Sequence, residues 1–299
     1  MKIAFASCMN LRPGHAQVVW DKIATHQPDY LFLLGDQIYM DFFPHLEEPK
    51  GWTDGKFEDV MTQKYTEQWN TPGFKELNAA VSARGGVYGT WDDHDFAWNN
   101  ASGSQVSAAK KNISRRLFTQ FMQVDPPGAG IFHSVPLSHA GNKIGKAIFL
   151  DTRWYREEPG DKKTLLGPDQ FEFLQQELAN EQGFVLICAG TPIRATGNGW
   201  MRYQDEYARF RQLIQGRHII FLSGDIHENA FLPPAGETKM FEVISSGAFV
   251  TKYKFAGHRE NFGILDYTPA ATDIKLFDKH GLEKHNIIDN ATFEHRELR

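Results

Sequence analysis

Along the first half of the chain the apolar residues alternate between short continuous runs and a spacing of three to four, the pattern of strands alternating with helices. Lys2 to Ser7 reads as a strand, Ala16, Val19, Trp20 and Ile23 fall at helical spacing, and Asp29 to Leu34 is an apolar run closed by Gly35. Thr71 followed by Pro72 fits a helix start, with Phe74, Leu77 and Val81 continuing the stripe, and Val87 to Trp91 is the next strand. Ala108, Ile113, Leu117 and Phe121 predict a long helix that ends before Pro126-Pro127-Gly128. Beyond that break, Phe132 to Leu137 and Lys146 to Leu150 read as a hairpin. Gly167-Pro168-Asp169 opens a helix with Phe171, Leu174 and Leu178 on one face, leading to the strand Phe184 to Ala189. The unit recurs with Tyr207, Phe210 and Ile214 before the strand His218 to Leu222, and from Lys239 the pattern is strand-like with glycine breaks.

These are βαβ units, so the pattern predicts an α/β fold. A length of 299 residues would admit two small domains. No repeat, low-complexity tract or linker divides the chain, so a single domain over 1–299 is expected. Lys and Arg number 32 against 37 Asp and Glu, a net charge of −5, which argues against nucleic acid as a partner. No apolar run approaches the ~20 residues of a membrane span. The N-terminal residues lack the apolar stretch of a secretory signal, so a cytoplasmic location with both cysteines reduced is expected. Cys188 lies inside an apolar strand and reads as a small buried hydrophobe.

The chemistry collects where strands end. Ser7-Cys8, Gly35-Asp36-Gln37-Ile38-Tyr39, Trp91-Asp92-Asp93-His94-Asp95, Asp151-Thr152-Arg153 and Ser223-Gly224-Asp225-Ile226-His227 each follow a predicted strand. In α/β sheets ligands sit at the carboxyl ends of strands. Asp92, Asp93 and Asp95 repel one another, so they must be solvated, neutralised or bound to cations. A solvated acidic loop is the plain alternative, but Trp91, Phe96 and Trp98 beside it are large aromatics for which such a loop has little use. Asp225-Ile226-His227 follows the apolar run Ile219 to Leu222, a poor place for an unpaired charge.

Taken together, these strings resemble the alkaline phosphatase D-like branch of the calcineurin-type metallophosphoesterases. Phe5-Ala6-Ser7-Cys8 is similar to that branch's Phe-Gly-Ser-Cys, and the Gly-Asp-Gln-Ile-Tyr, Trp-Asp-Asp-His-Asp and Gly-Asp-x-His strings match its signatures. Leu150 to Arg153 and Leu166 to Gln170 add to the likeness, which runs from Phe5 to about His227. The resemblance implies a four-layer α/β/β/α sandwich of the metallophosphoesterase type. It departs from the wider superfamily, which has Asp-x-His in the first motif and His-x-His in the last, where this chain has Cys8 and Asp225-Ile226-His227. Members are often exported and carry an extra N-terminal β domain. No such separate domain is expected before Lys2.

The branch is known for Fe3+ held by cysteine, aspartate and tyrosine beside Ca2+. The resemblance therefore implies Cys8, Asp36, Tyr39 and Asp225 as iron ligands, with Asp36 bridging and Asp93 and His227 toward a second ion. A trivalent ion can hold thiolate and phenolate ionised at neutral pH. If Cys8, Asp36, Tyr39, Asp93 and Asp225 all ionise, one trivalent and one divalent cation only balance them, which supports a third. Zn2+ or Mn2+ stay open as alternatives. The implied reaction is hydrolysis of a small phosphoester, monoester or diester, by a metal-bound hydroxide. His94 is the implied acid, with a purely structural role as its alternative. Arg153 is placed either to grip a phosphate oxygen beside Asp93 or to form a salt bridge to a motif aspartate.

Motifs of serine hydrolases, P-loop kinases, dinucleotide-binding dehydrogenases and zincins are missing from the sequence. A strict phosphodiesterase and a non-catalytic ligand-binding protein that keeps its metal shell are the remaining alternatives. The pattern does not disclose an oligomeric state.

Overall fold

The computed structural model describes all residues except 13, 43–47, 195–198, 237 and 252–257. The first half supplies β1 (Lys2–Ala6), α1 (Val19–Thr25), β2 (Tyr30–Leu34), α2 (Asp54–Trp69), α3 (Pro72–Ser82), β3 (Gly86–Thr90), α4 (Asp93–Phe96) and α5 (Ala108–Met122). Then come β4 (His133–His139), β5 (Asn142–Phe149), α6 (Gly167–Ala179), β6 (Phe184–Cys188), α7 (Gln204–Leu213), β7 (Ile219–Ser223), β8 (Asn229–Leu232) and β9 (Met240–Ser245). The chain closes with β10 (Val250–Thr251), β11 (His258–Arg259), β12 (Phe262–Tyr267), β13 (Ala271–Asp278), β14 (Gly281–Asp289) and β15 (His295–Glu297).

Two large mixed sheets result, ordered β15-β14-β13-β12-β1-β2-β3 and β4-β5-β6-β7-β9-β8. The parallel members are β1, β2 and β3 in one sheet and β5, β6, β7 and β9 in the other, so their carboxyl ends share an edge within each sheet. Strand periodicity decides the layering. Ile3, Phe5, Phe32 and Leu34 point into a core shared with Leu186, Cys188, Ile220 and Leu222 of the second sheet. Their neighbours Ala4, Ala6, Leu31 and Leu33 face Trp20, Phe57, Tyr65, Phe74 and Phe118 on the outer helices. On the far side Ile187, Ile219 and Phe221 meet Phe171, Leu174 and Phe210 of α6 and α7. The order of layers is therefore helix, sheet, sheet, helix, the four-layer arrangement expected.

Two local differences from the pattern have physical causes. Helix α1 begins at Val19, and Ala16 is exposed outside it, because the preceding Gln17 turns inward and accepts a hydrogen bond from Trp20 Nε1 at 2.6 Å while pairing with Gln68. Helix α2 is absent from the predicted elements. Its buried stripe of Phe57, Val60, Met61, Tyr65 and Gln68 is diluted by polar residues, and its start is fixed by Thr53, whose hydroxyl accepts from Lys56 N. Cys188 is fully buried in the core between the sheets, and burial pushes its thiol pKa up, as an inert packing residue requires.

The sheets meet closely at the edge that carries the motifs. A Cβ on Gly224, just past β7, would lie 2.5 Å from both Leu34 O and Ser7 Oγ of the opposite sheet. Gly35, at φ +90°, would clash with Asp92 Cβ at 2.7 Å. Only glycine lets the ends of β1, β2, β3 and β7 converge like this.

Candidate metal centre

Four of the five strand endings converge on one cluster, and the fifth brings Arg153 against it. Cys8 follows β1, Asp36 and Tyr39 follow β2, Asp93 and His94 form the short α4 after β3, and Asp225 and His227 follow β7. Three triads of donor atoms lie within 4.8 Å of one another: Cys8, Asp36 and His227; Asp36, Asp93 and His94; and Asp92, Asp93 and Asp225. Asp36 belongs to two of them, and so does Asp93.

Around Asp36 Oδ2 the hydrogen bonding has an unusual redundancy. The Cys8 thiol donates to it at 3.4 Å and the Tyr39 hydroxyl donates to the same oxygen at 3.2 Å. Tyr39 is also 3.4 Å from His227 Nε2, and Cys8 Sγ is 3.2 Å from Ser246 Oγ. The backbone N–H of His94 donates to Asp36 Oδ1 at 3.3 Å. Two protons thus share one carboxylate oxygen where a single cation would replace both. Burial first, then the Asp36 charge, pushes the Cys8 thiol and the Tyr39 phenol well above their ordinary values. Asp36 itself is pushed up by burial and by its neighbouring carboxylates. Asp225 is raised to about 7 by burial and by Asp92 and Asp93. Buried Asp92 Oδ2 and Asp93 Oδ1 have no hydrogen-bond partner among the described residues. This crowded, under-neutralised donor set fits metal cations, which would supply the positive charge it needs.

Backbone strain marks the same residues. Cys8 (φ 60°), Asp36 (φ 56°), Asn100 (φ 58°), Asp225 (φ 73°) and His227 (φ 56°) all occupy the left-handed region. Such conformations cost of order 1–3 kcal/mol each and persist where the surroundings over-determine them, typically at ligand sites. In the last motif the two left-handed residues send their donor atoms to different triads. Asp225 closes on Asp92 and Asp93, whereas His227, its N–H held by Ser246 Oγ at 3.0 Å, closes on Cys8 and Asp36. The sequence pointed to the opposite grouping, with Asp225 beside Cys8 and His227 toward a second ion.

His94 stacks on Tyr39 with ring centroids 4.2 Å apart, and its Nδ1 is 2.6 Å from Asp41 Oδ1. Burial pulls the imidazole pKa down, but Asp93, Asp36 and Asp41 outweigh it and hold it at about 10. Asp41 is in turn fixed by the Asn99 N–H at 2.8 Å, and Asp93 accepts from the Asn100 N–H. Burial also pushes Asp93 up, but the Arg153 guanidinium and the His94 ring bring it down to about 2. Asp95 caps its own turn by accepting from Asp92 N at 2.6 Å and Gln37 N at 3.0 Å.

Arg153 is 2% exposed and its fork is engaged by protein. Nε donates to Asp92 Oδ1 at 2.6 Å, the two terminal nitrogens to Ala101 O and Thr191 Oγ1 at 3.2 Å, and Asp93 Oδ1 lies 3.6 Å away. Of the two roles open from the sequence, the geometry favours the ion pair to motif aspartates. Asp151 pairs elsewhere, accepting from Trp91 Nε1, Ile131 N, Arg153 N and Trp154 N. Replacing Arg153 by methionine should therefore destabilise the protein by about 3–5 kcal/mol in urea denaturation, because it strands two buried carboxylates. A loss below about 1 kcal/mol would contradict the structural role.

Sequence reasoning missed Asp41, Thr191 and Ser246. Asp41 lies two residues past Tyr39 in the same segment, and Ser246 follows β9, so the strand-ending rule that found the others would have found it too. Thr191, which donates to Asp92 at 3.0 Å, follows the predicted strand Phe184 to Ala189 after Gly190, so the same rule points to it.

The sequence profile of the PhoD-like phosphatases matches residues 3–234. No curated protein matches the chain. Among solved structures, PhoD superposes with a TM-score of 0.75 at 16% identity, covering 100% of this chain and 71% of that one. A dimetal phosphatase from Danio rerio follows at 0.57 and 12% identity, covering 97% of this chain and 99% of that one. GAP50, the anchor in the inner membrane complex of Plasmodium, gives 0.54 at 13% identity, covering 100% and 88%. These likenesses show a shared fold. No helix among the described residues is long and apolar enough to cross a membrane.

Proposed function

The chain belongs to the PhoD-like phosphatase family, and from that premise we propose that it hydrolyses phosphoesters with the cluster at the carboxyl ends of β1, β2, β3 and β7 as its metal centre. The observation that carries the reading is Asp36, buried, left-handed and shared by two triads of donor atoms. Cys8, Asp36, Tyr39 and His227 would hold one ion. Thiolate and phenolate ligands suit a trivalent metal such as Fe3+. Asp92, Asp93 and Asp225 offer hard oxygen donors suited to Ca2+. Bound cations supply Lewis-acid stabilisation of phosphoryl oxygens and lower the pKa of water.

The protein's own groups do the rest. His94, anchored through Nδ1 by Asp41 and stacked on Tyr39, holds a proton for the departing oxygen of the ester. Arg153 and the Asn100 N–H keep Asp92 and Asp93 aimed inward, so Arg153 acts by positioning. The electrostatic field at this edge is what a phosphoryl group meets on arrival.

The test is elemental analysis and visible spectroscopy of protein purified without chelator, alongside turnover of 4-nitrophenyl phosphate and bis(4-nitrophenyl) phosphate. Turnover of at least one ester and a charge-transfer band that shifts in Cys8→Ser and Tyr39→Phe are expected. A colourless protein fully active with zinc or manganese would reject iron and leave hydrolysis standing. Absence of turnover in fully metallated protein would favour the ligand-binding alternative.

A further inference from the structure

The loops that carry Cys8 and Asp36 also wall a cavity of about 530 Å3 that the chemistry so far does not use. Tyr39 is the shared wall, with its hydroxyl toward Asp36 and His227 and its residue lining the cavity. Asn10 and Gln37 line it as well. Asn10 is 3% exposed and Gln37 fully buried, and Asn10 Nδ2 and Gln37 Oε1 have no hydrogen-bond partner among the described residues. The opposite wall comes from α2, including Lys64 and Glu67. The Arg12 guanidinium, which lines the same cavity, makes no hydrogen bond or ion pair with a described residue and lies 5.8 Å from the centroid of the Phe42 ring.

A cavity of this volume takes a sugar- or nucleoside-sized group. An arginine with an unengaged fork is suited to bidentate recognition of a carboxylate or phosphate. Lys64 lines the same cavity with the Glu67 and Asp41 carboxylates acting on it, so the preference for an anion rests on Arg12. Resting on the phosphoesterase reading, we propose that this cavity receives the organic part of the substrate and that Arg12 pairs an anionic group carried on it. The substrate class is then a phosphoester whose organic part bears a carboxylate or a second phosphate at a distance from the scissile ester.

The proposal is tested by calorimetric binding of ω-phosphonoalkanoates with two to eight methylenes, each compared with the alkylphosphonate of equal chain length. At one length or a narrow range of lengths the carboxylate should raise affinity about tenfold, the scale of a charge-assisted pair. Arg12→Gln should remove that gain, and Glu67→Gln, which deletes one of the opposing charges, should enlarge it. Equal binding of the paired compounds at every length, or a carboxylate preference that Arg12→Gln retains, would overturn the proposal. The hydrolase reading is scored separately on 4-nitrophenyl phosphate. Turnover without a carboxylate preference sinks the cavity alone, and an Arg12-dependent preference without turnover sinks the hydrolase reading alone.

Discussion

Asp36→Ala should lower kcat/KM on 4-nitrophenyl phosphate by about 10³ or more, since cations at such sites contribute several kcal/mol to the transition state. The expectation follows from geometry. Asp36 is the donor common to the Cys8–His227 and Asp93–His94 triads, so its loss should weaken ion binding at both. Elemental analysis should show the bound metal falling with the activity. The fold should survive, because Asp36 sits among buried carboxylates that push its pKa up, and its removal relieves that crowding. Metal-free Asp36→Ala should therefore melt no lower than metal-free wild type. A variant that keeps its metals and its rate would remove Asp36 from the centre. A variant that melts lower than the metal-free parent would make its role structural.

His94→Ala should lower kcat on an alkyl phosphate by about 10²–10⁴ while metal content stays unchanged, the range expected for general acid catalysis. On an aryl phosphate, whose leaving group is already a weak base, the loss should be much smaller. The contrast isolates proton donation from other consequences of the substitution. Asp41→Asn should reproduce a weaker form of the same contrast, because Asp41 acts on the imidazole through the 2.6 Å contact to Nδ1. Equal losses on both substrates would remove the acid role, and loss of metal in His94→Ala would make the imidazole a ligand, as its place beside Asp36 and Asp93 allows.

The parts of this molecule that were legible in the sequence are those governed by local rules. Strands β1, β2 and β7 are short apolar runs, each followed within two residues by one too polar for a sheet interior, so strand and site appear in one signal. Helix α2 was illegible because its buried stripe ends in Gln68, whose partner Gln17 lies 51 residues away. Which motif residues share an ion was also hidden. That division depends on two left-handed residues flanking Ile226 and on Ser246 from a different strand. Arg153 shows the same limit. Its sequence position suited phosphate or carboxylate equally, and only the approach of β3 to the loop after β5 brings Asp92 within 2.6 Å.

Stripping and restoring the metals while following both ion content and 4-nitrophenyl phosphate turnover tests the central claim most directly. Turnover should fall as ions are removed by chelator, return in proportion to ions rebound per chain, and fail to return in Asp36→Ala. Undiminished turnover by protein shown to be free of metal would contradict a phosphoesterase built on Cys8, Asp36, Tyr39, Asp93, Asp225 and His227.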